Sequence, residues 1–303
     1  MGEMKKMKFT YNEFEIITII EREKTKLSQR EISKLSGLSL GTVNKVISTL
    51  LENGLITNDN LITKKGLETL EPYRVKRAIF LAAGFGSRMV PITLNTPKPL
   101  VRVHGKRIIE TLLDAVVKAE IPEIIVVTGY LGEQFEVLLK KYPNIKFIDN
   151  KKYNEANNIS SAYLVKDLFE NSYVLESDLI LYNENLIRKY EYQSNFLAVY
   201  TDMTDDWCFE TKNGVITKQK IGGYNCHQMI GISYYDEKDG KELSKDIGEV
   251  YNSPGGKEKY WDQIPLDVCK THYKIYIREC QKEDIVEIDT FNELKKIDKT
   301  YDV

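Results

Sequence analysis

The sequence predicts an α/β protein: a mainly parallel sheet with helices on both faces, preceded by a small, mostly helical module. Three observations predict it. From residue 77 onward, short apolar runs alternate with helical segments, as repeated βα units do. A glycine-rich turn, LAAGFGSR at 81–88, follows the first of those runs, Ala78-Ile79-Phe80-Leu81. Residues 9–70 carry helical spacing and caps but no comparable turn.

A chain of 303 residues is long enough for two domains. The segment Glu71-Pro72-Tyr73-Arg74-Val75-Lys76-Arg77 breaks the helical pattern, so the domains are expected at 1–75 and 76–303. Hydrophobic content of 42% and charged content of 29% place the chain among ordinary globular proteins. A net charge of −2 argues against a strongly charged partner for the whole molecule. No apolar run approaches the roughly 18 residues of a membrane span. The first residues, MGEMKKMKFTYNEFE, lack the apolar segment of a signal peptide. A cytoplasmic protein with no membrane partner is the expectation. The cysteines (Cys208, Cys226, Cys269, Cys280) are widely spaced and the histidines (His104, His227, His272) do not cluster. Neither set has zinc-ligand spacing, so buried, reduced thiols are expected.

Within the first module, residues 11–23 place Phe14, Ile17 and Ile20 at helical spacing. Ser28 with Glu31 forms a capping box for a short helix that turns Ile32 and Leu35 inward and ends at Gly37. Ser39 caps a second helix whose inward face is Val43, Val46, Ile47 and Leu50, and Gly54 closes it. Leu55-Ile56-Thr57 and Leu61-Ile62-Thr63 flank the turn Asn58-Asp59-Asn60, which reads as a two-stranded wing. Helix, turn, helix and wing together resemble the winged helix-turn-helix domains of bacterial regulators. The resemblance implies DNA contact through residues 28–65, with Ser39, Thr42, Asn44 and Lys45 entering the major groove. Charge tempers it: residues 1–75 hold twelve lysines and arginines against ten acids, a small surplus for neutralising phosphates. Dimerisation or docking is the other use of such a fold, which leaves a homodimer open.

The second domain reads in order as follows. Ile108 to Ala119 is a helix, and Glu123 to Thr128 a strand that ends in Gly129-Tyr130. Residues 132–141 are a helix, 145–148 a strand, 158–168 a helix and 172–176 a strand. A later apolar run, Ile285 to Ile288, is another strand. Ligands in such sheets bind beyond the carboxyl ends of the strands. That rule singles out 82–88, 128–131 and the pair Ser177-Asp178.

Gly84 and Gly86 let the backbone turn tightly and present bare N–H groups, a natural phosphate cradle. Arg88, and Lys98 held between Pro97 and Pro99, add the charge that a triphosphate needs. The spacing is not that of a Walker A loop, and the third glycine of GxGxxG is absent. It resembles the signature of the nucleotidyltransferases that join a nucleoside triphosphate to a phosphorylated small molecule. Their pattern L-A-A-G-x-G-x-R, P-x-T and P-K-P-L is filled at 81–88, 91–93 and 97–100. The resemblance implies a Rossmann-like nucleotidyltransferase domain in which Leu81, Ala82, Ala83, Gly84, Phe85, Gly86, Ser87 and Arg88 hold the nucleotide. Arg88 and Lys98 are then the catalytic cations. Asp178 and Asp289, each ending an apolar strand, are the oxygen ligands that Mg²⁺ prefers. The family's acidic turn and Ile-Asp pair fall at these two positions, with Glu176-Ser177-Asp178 standing where the family has Asp-x-Asp.

Both tryptophans lie in polar surroundings beside an aspartate, Asp206-Trp207 and Tyr260-Trp261-Asp262. A quaternary ammonium has no N–H to donate, so its recognition relies on aromatic faces and nearby negative charge. Residues 77–298 are similar to the bacterial CTP:phosphocholine cytidylyltransferases. The shared pieces are LAAGFGSRMVPIT, TPKPLV, VVTGYLGEQF, NNISSAYLVK, Asp206-Trp207, YWD at 260–262 and EID at 287–289. The resemblance implies CTP and phosphocholine as substrates and CDP-choline as product. It places Trp207, Trp261 and Tyr260 around the trimethylammonium, with Asp206 and Asp262 supplying charge. Ala83 with the Gly129-Tyr130 turn would read the cytosine, and Asn157, Asn158 and Ser160 would face the nucleotide or the acceptor phosphate. Related acceptors, 2-aminoethylphosphonate or phosphoethanolamine, and sugar 1-phosphates remain alternatives. So does a DNA-binding regulator that uses the transferase domain as a sensor.

Overall fold

The computed structural model describes residues 8–302. The part of the N-terminal expectation that falls on residues 1–7 lies outside them. Two compact units divide between Arg74 and Val75.

In the first unit, α1 (Tyr11–Glu23) starts at a Thr10–Glu13 capping box. α2 (Gln29–Ser36) starts at the Ser28–Glu31 box and stops at Gly37, whose φ of 69° suits glycine. α3 (Leu40–Glu52) is capped by Ser39 and buries Val43, Val46, Ile47 and Leu50. These join Phe14, Ile17, Ile20 and Ile32 in the core. Leu35 departs from expectation: one residue from the helix end, it is 46% exposed, and α2 buries Ile32 alone. The wing is also reduced. It consists of one bridge, Ile56 to Ile62, with Thr57 N–H bonded to Leu61 O. The chain then enters α4 (Lys64–Leu70), capped by Thr63, which no sequence pattern announced.

The second unit opens with β1 (Arg77–Leu81). The short strands β2 (Arg102–Val103) and β3 (Lys106–Arg107) lead into α5 (Ile108–Lys118). Then come β4 (Glu123–Thr128), β5 (Ile145–Asp149), α6 (Ile159–Leu164), β6 (Ser172–Glu176) and β7 (Leu179–Leu181). Two long strands follow, β8 (Asn195–Lys212) and β9 (Val215–Tyr235). The chain closes with α7 (Glu237–Tyr251), β10 (Tyr276–Glu279), β11 (Ile285–Glu287) and α8 (Phe291–Ile297).

The main sheet runs β10-β8-β9-β6-β1-β4-β5. β6, β1, β4 and β5 are parallel, and β9 is antiparallel to both β6 and β8. Alternate residues of β1 feed opposite faces: Phe80 packs with Ile109, Leu113 and Tyr173, while Ile79 packs with Ile159, Phe169 and Trp261. The mixed, mainly parallel α/β architecture is therefore as expected.

Four local expectations change. Residues 132–140 form 3₁₀ turns rather than an α-helix. The helix expected over 158–168 breaks after Leu164 and resumes as a 3₁₀ turn at Lys166–Leu168. The Ile285–Ile288 strand does not join the main sheet; β11 pairs antiparallel with β7. That pairing has a consequence, because Ile288 N–H bonds Asp178 O and so draws Asp289 beside Asp178. Finally, Cys208, Cys226 and Cys280 are buried thiols, but Cys269 is half-buried and meets His272, so these two residue types do cluster.

Candidate active site

Beyond the carboxyl ends of β1, β5 and β6 lies a cavity of about 560 Å³, a size suited to a nucleotide-sized ligand. Its floor is the glycine turn. Gly86 sits at φ 68°, and a Cβ there would stand 3.1 Å from Lys98 Cβ and 3.2 Å from Thr93 Cγ2. Glycine is needed both for the backbone angle and for the close approach of Lys98. Ser177 Oγ donates to Leu81 O, tying the end of β6 to the end of β1.

The charged centre is compact. Lys98 Nζ lies 2.8 Å from Asp178 Oδ2 and 3.1 Å from Asp289 Oδ1, and its side chain is only 10% exposed. Arg88 Nη2 reaches the same Asp289 oxygen at 2.6 Å. Burial pushes the Lys98 ammonium down, but attraction to Asp178 and then Asp289 outweighs it, so its pKa is raised and it stays charged. Carboxylate oxygens of Glu176, Asp178 and Glu287 fall within 4.8 Å of one another. Gly231 makes room for Glu176: a Cβ there would lie 2.4 Å from Glu176 Oε2. Asp178 Oδ1 is buried with no hydrogen-bond partner. An orphaned carboxylate oxygen among crowded acids is a donor set that fits a hard divalent cation.

Crowding shows in the protonation of this set. Burial first, then Asp178, then Glu287 raise Glu176 well above the ordinary glutamate value. Burial, then Asp178 and Asp289, push Glu287 up to about 8. A carboxyl group raised in the folded state contributes stability below its unfolded value of 4.5, and loses that contribution as pH rises through about 8. Without divalent cations, the melting temperature should therefore fall between about pH 5 and pH 8.5, by several degrees for a loss of ~1–3 kcal/mol. Glu287→Gln should flatten this slope in a thermal-shift measurement in EDTA. An equally steep decline in the variant would contradict the reading.

The opposite wall combines aromatic and acidic groups. Trp207, half-buried on β8, stands edge-to-face with Tyr260 at 6.3 Å between ring centres. Asp206 accepts a hydrogen bond from Trp207 N–H at 2.7 Å. Asp262 is buried and accepts a 2.7 Å hydrogen bond from Gln219; burial raises its pKa. Asn157 and Asn158 line the cavity and also brace this wall: Asn157 N–H bonds Lys257 O, and Asn158 Oδ1 accepts Trp261 N–H. Ser160 lines the cavity too, its hydroxyl engaged by Asn157 O and Asn150 Nδ2.

Leu81, Ala82, Ala83, Gly84, Gly86, Arg88, Lys98, Asn157, Asn158, Ser160, Asp178, Asp206, Trp207, Tyr260, Asp262 and Asp289 thus converge on one cavity. Five expected residues do not line it. Trp261 is 2% exposed and stacks on Phe169 and Phe196 in the core, so it is not part of an aromatic box. Gly129 and Tyr130 brace the glycine turn: Tyr130 N–H donates to Ala83 O, and a Cβ on Gly129 would lie 2.9 Å from that oxygen. Phe85 packs edge-to-face on Tyr130 at 4.6 Å, and Ser87 is exposed outside the cavity lining. Conversely, Asn150, Tyr153, Gly231 and Glu287 line the cavity without having been singled out. Glu287 was legible as the partner of Asp289: residues two apart on an extended chain share a face, as Glu176 and Asp178 also do.

Known proteins match both units. Residues 77–225 match the nucleotidyl transferase family, and residues 9–57 match a winged helix-turn-helix DNA-binding family. A 2-aminoethylphosphonate cytidylyltransferase of Lancefieldella rimae is 35% identical over 231 residues, covering 74% of this chain and 92% of that protein. A choline-phosphate cytidylyltransferase of Streptococcus pneumoniae is 33% identical, covering 74% of this chain and 97% of that protein. The solved structure of the CTP:phosphocholine cytidylyltransferase LicC from S. pneumoniae superposes with a TM-score of 0.69 at 33% identity, over 75% of this chain and 99% of that one. On these likenesses the chain belongs to the nucleotidyltransferases, among their cytidylyltransferases.

Proposed function

We propose that the enzyme transfers the cytidylyl group of CTP to phosphocholine, releasing pyrophosphate and forming CDP-choline. One observation carries this reading. A single cavity joins a phosphate-binding end (glycine turn, Arg88, Lys98) to an aromatic and acidic end (Trp207, Tyr260, Asp206, Asp262). A phosphomonoester is largely dianionic at neutral pH, so its oxygen attacks the α-phosphate without a general base. What the protein must supply is in-line placement and charge neutralisation. Amides of the glycine turn and Arg88 would hold the β- and γ-phosphates. Lys98, fixed on Asp178 and Asp289, would stand between the α-phosphate and the incoming phosphate. Mg²⁺ held by Asp178 and Asp289 would neutralise charge on the α-phosphate and on the departing pyrophosphate. Trp207 and Tyr260 offer ring faces to the trimethylammonium, and Asp206 and Asp262 offer compensating charge.

The withdrawal of Trp261 into the core favours one second reading. With fewer rings and several carboxylates on that wall, a primary ammonium such as that of 2-aminoethylphosphonate also finds partners. Initial rates of pyrophosphate release, with each of four nucleotides against phosphocholine, 2-aminoethylphosphonate, phosphoethanolamine and a sugar 1-phosphate, separate these readings. CTP with phosphocholine should give the highest kcat/KM. A tenfold preference for a primary amine would replace choline, and activity on sugar phosphates alone would reject both.

For the first unit the reading is a DNA contact through the exposed Asn44, Lys45 and Ser48 face of α3. Its charge surplus is small, so fluorescence anisotropy with duplex DNA should show micromolar binding that weakens in Lys45→Ala. Absence of binding at low salt would assign the module to protein docking.

A further inference from the structure

We propose that Asp246, Cys269 and His272, with Glu242 beside them, form a zinc site separate from the catalytic cavity, which clips the turn at 269–272 to α7. Ligand atoms of Asp246, Cys269 and His272 lie within 4.8 Å of one another, close enough for one ion to bridge them. None of these residues lines the cavity of the active site.

Sequence and fold bring them together in a recognisable way. Glu242 and Asp246 are four residues apart on α7, so they share a face. Cys269 and His272 form a Cys-x-x-His turn that lies across that face. The Asp246 carboxylate is almost wholly buried, its side chain 1% exposed. Its Oδ2 accepts hydrogen bonds from Tyr273 Oη at 2.6 Å and from His272 Nδ1 at 2.8 Å. Its Oδ1 has no hydrogen-bond partner. A buried carboxylate oxygen left unpaired is costly unless something fills the vacancy, and here a thiol and an imidazole stand beside it. Glu242 Oε1 lies 3.6 Å from His272 Nδ1, outside the three-residue group and paired with Lys245 Nζ at 3.4 Å, so solvent completes the coordination of the three ligands.

The donor chemistry selects the ion. One thiolate, one imidazole and carboxylate oxygen in a compact group are ligands of zinc, whereas Mg²⁺ and Ca²⁺ take oxygen donors. The Tyr273 hydroxyl orients the Asp246 carboxylate from behind, as outer partners of metal ligands do. Binding is balanced as follows. The Cys269 S–H proton leaves to solvent as the S–Zn bond forms. His272 binds through Nδ1 as neutral imidazole, the proton that Nδ1 had directed at Asp246 passing through solvent to Nε2, and Asp246 binds as carboxylate. Asp246 also lowers the thiolate fraction of the free protein: burial, then that negative charge, raise the Cys269 thiol to about 11. Metal binding is thereby coupled to proton release.

The clip has a structural purpose. The segment that ends in this turn also carries Tyr260 and Asp262 into the catalytic cavity, with Leu266 anchoring its middle in the core. Fixing its far end to α7 limits movement of that wall.

The full-length protein, stripped with a chelator, should be titrated with Co²⁺ and followed by absorption. The expected result is a thiolate-to-cobalt charge-transfer band, with tetrahedral visible bands, that saturates at one equivalent. Cys269→Ser and His272→Ala should each abolish the charge-transfer band, while Asp178→Asn, in the other acidic cluster, should retain it. One equivalent of Zn²⁺ should displace the Co²⁺ and raise the melting temperature of the parent protein but not of Cys269→Ser. No thiolate band would overturn the proposal. So would a band that survives Cys269→Ser and is lost in Cys208→Ser, since the metal would then sit on β8.

Discussion

Asp178→Asn lowers kcat by about 10²- to 10³-fold, while the fold survives. The side chain is 22% exposed at the cavity floor and packs no core, so its replacement leaves the melting temperature within a few degrees. Its chemistry is harder to replace. Asp178 Oδ2 fixes Lys98 at 2.8 Å, and the unpartnered Oδ1 is the oxygen best placed for a divalent cation. Removing the negative charge loosens the ammonium and weakens the acid set together. Loss of one preorganised electrostatic partner in such a site costs on the order of 10²–10³ in rate. Steady-state kinetics with saturating CTP would show it. A decrease below tenfold would mean that Asp289, Glu176 and Glu287 carry the charge without Asp178.

The two tryptophans separate stability from recognition. Trp261→Ala empties a position stacked between Phe169 and Phe196 and costs about 3–5 kcal/mol, enough to lower the melting temperature by roughly 10 °C or more. Trp261→Phe, which keeps most of the packing, should leave the acceptor KM near that of the parent. Trp207→Ala should do the reverse. Its ring is half-buried in the cavity wall, so stability changes little, while the acceptor KM rises roughly 5- to 30-fold for 1–2 kcal/mol of lost cation–π contact. kcat should hold within about threefold, because the ring touches neither the triphosphate end nor Lys98. Equal KM effects in Trp207→Ala and Trp261→Phe would contradict this division.

What the chain disclosed beforehand was local in origin. Helix starts at Ser28 and Ser39 follow from a hydroxyl facing the backbone N–H of the first turn, which three or four residues decide. The glycine turn and the Pro-flanked Lys98 are likewise short-range, and they met in one cavity as expected. What escaped notice depends on distant pairing. The β8–β9 ribbon is rich in charged and polar residues, because much of its length is exposed, so no clean alternation marks it. Spacing alone pairs Glu287 with Asp289, but its approach to Asp178 arises only when β11 lies beside β7.

Trp261 was misplaced for a related reason. Charged neighbours suggested exposure, but Tyr260 and Asp262 face the cavity and leave Trp261 pointing into the core between them. Gly129 and Tyr130 differ in kind: this strand end holds the glycine turn, with the Tyr130 N–H given to Ala83 O, outside the cavity lining. Cys269 and His272 stand only three residues apart, a Cys-x-x-His spacing visible across the two residue types and not within either.

The central claim is that one cavity joins a cytidine triphosphate to a choline phosphate. Phosphorus NMR of the purified protein with CTP, phosphocholine and Mg²⁺ tests it most directly. The triphosphate signals should give way to equal amounts of pyrophosphate and a diphosphodiester, CDP-choline, and nothing should change without Mg²⁺ or in Asp178→Asn. Release of pyrophosphate without the diester, or no reaction with phosphocholine while a sugar 1-phosphate is consumed, would contradict it.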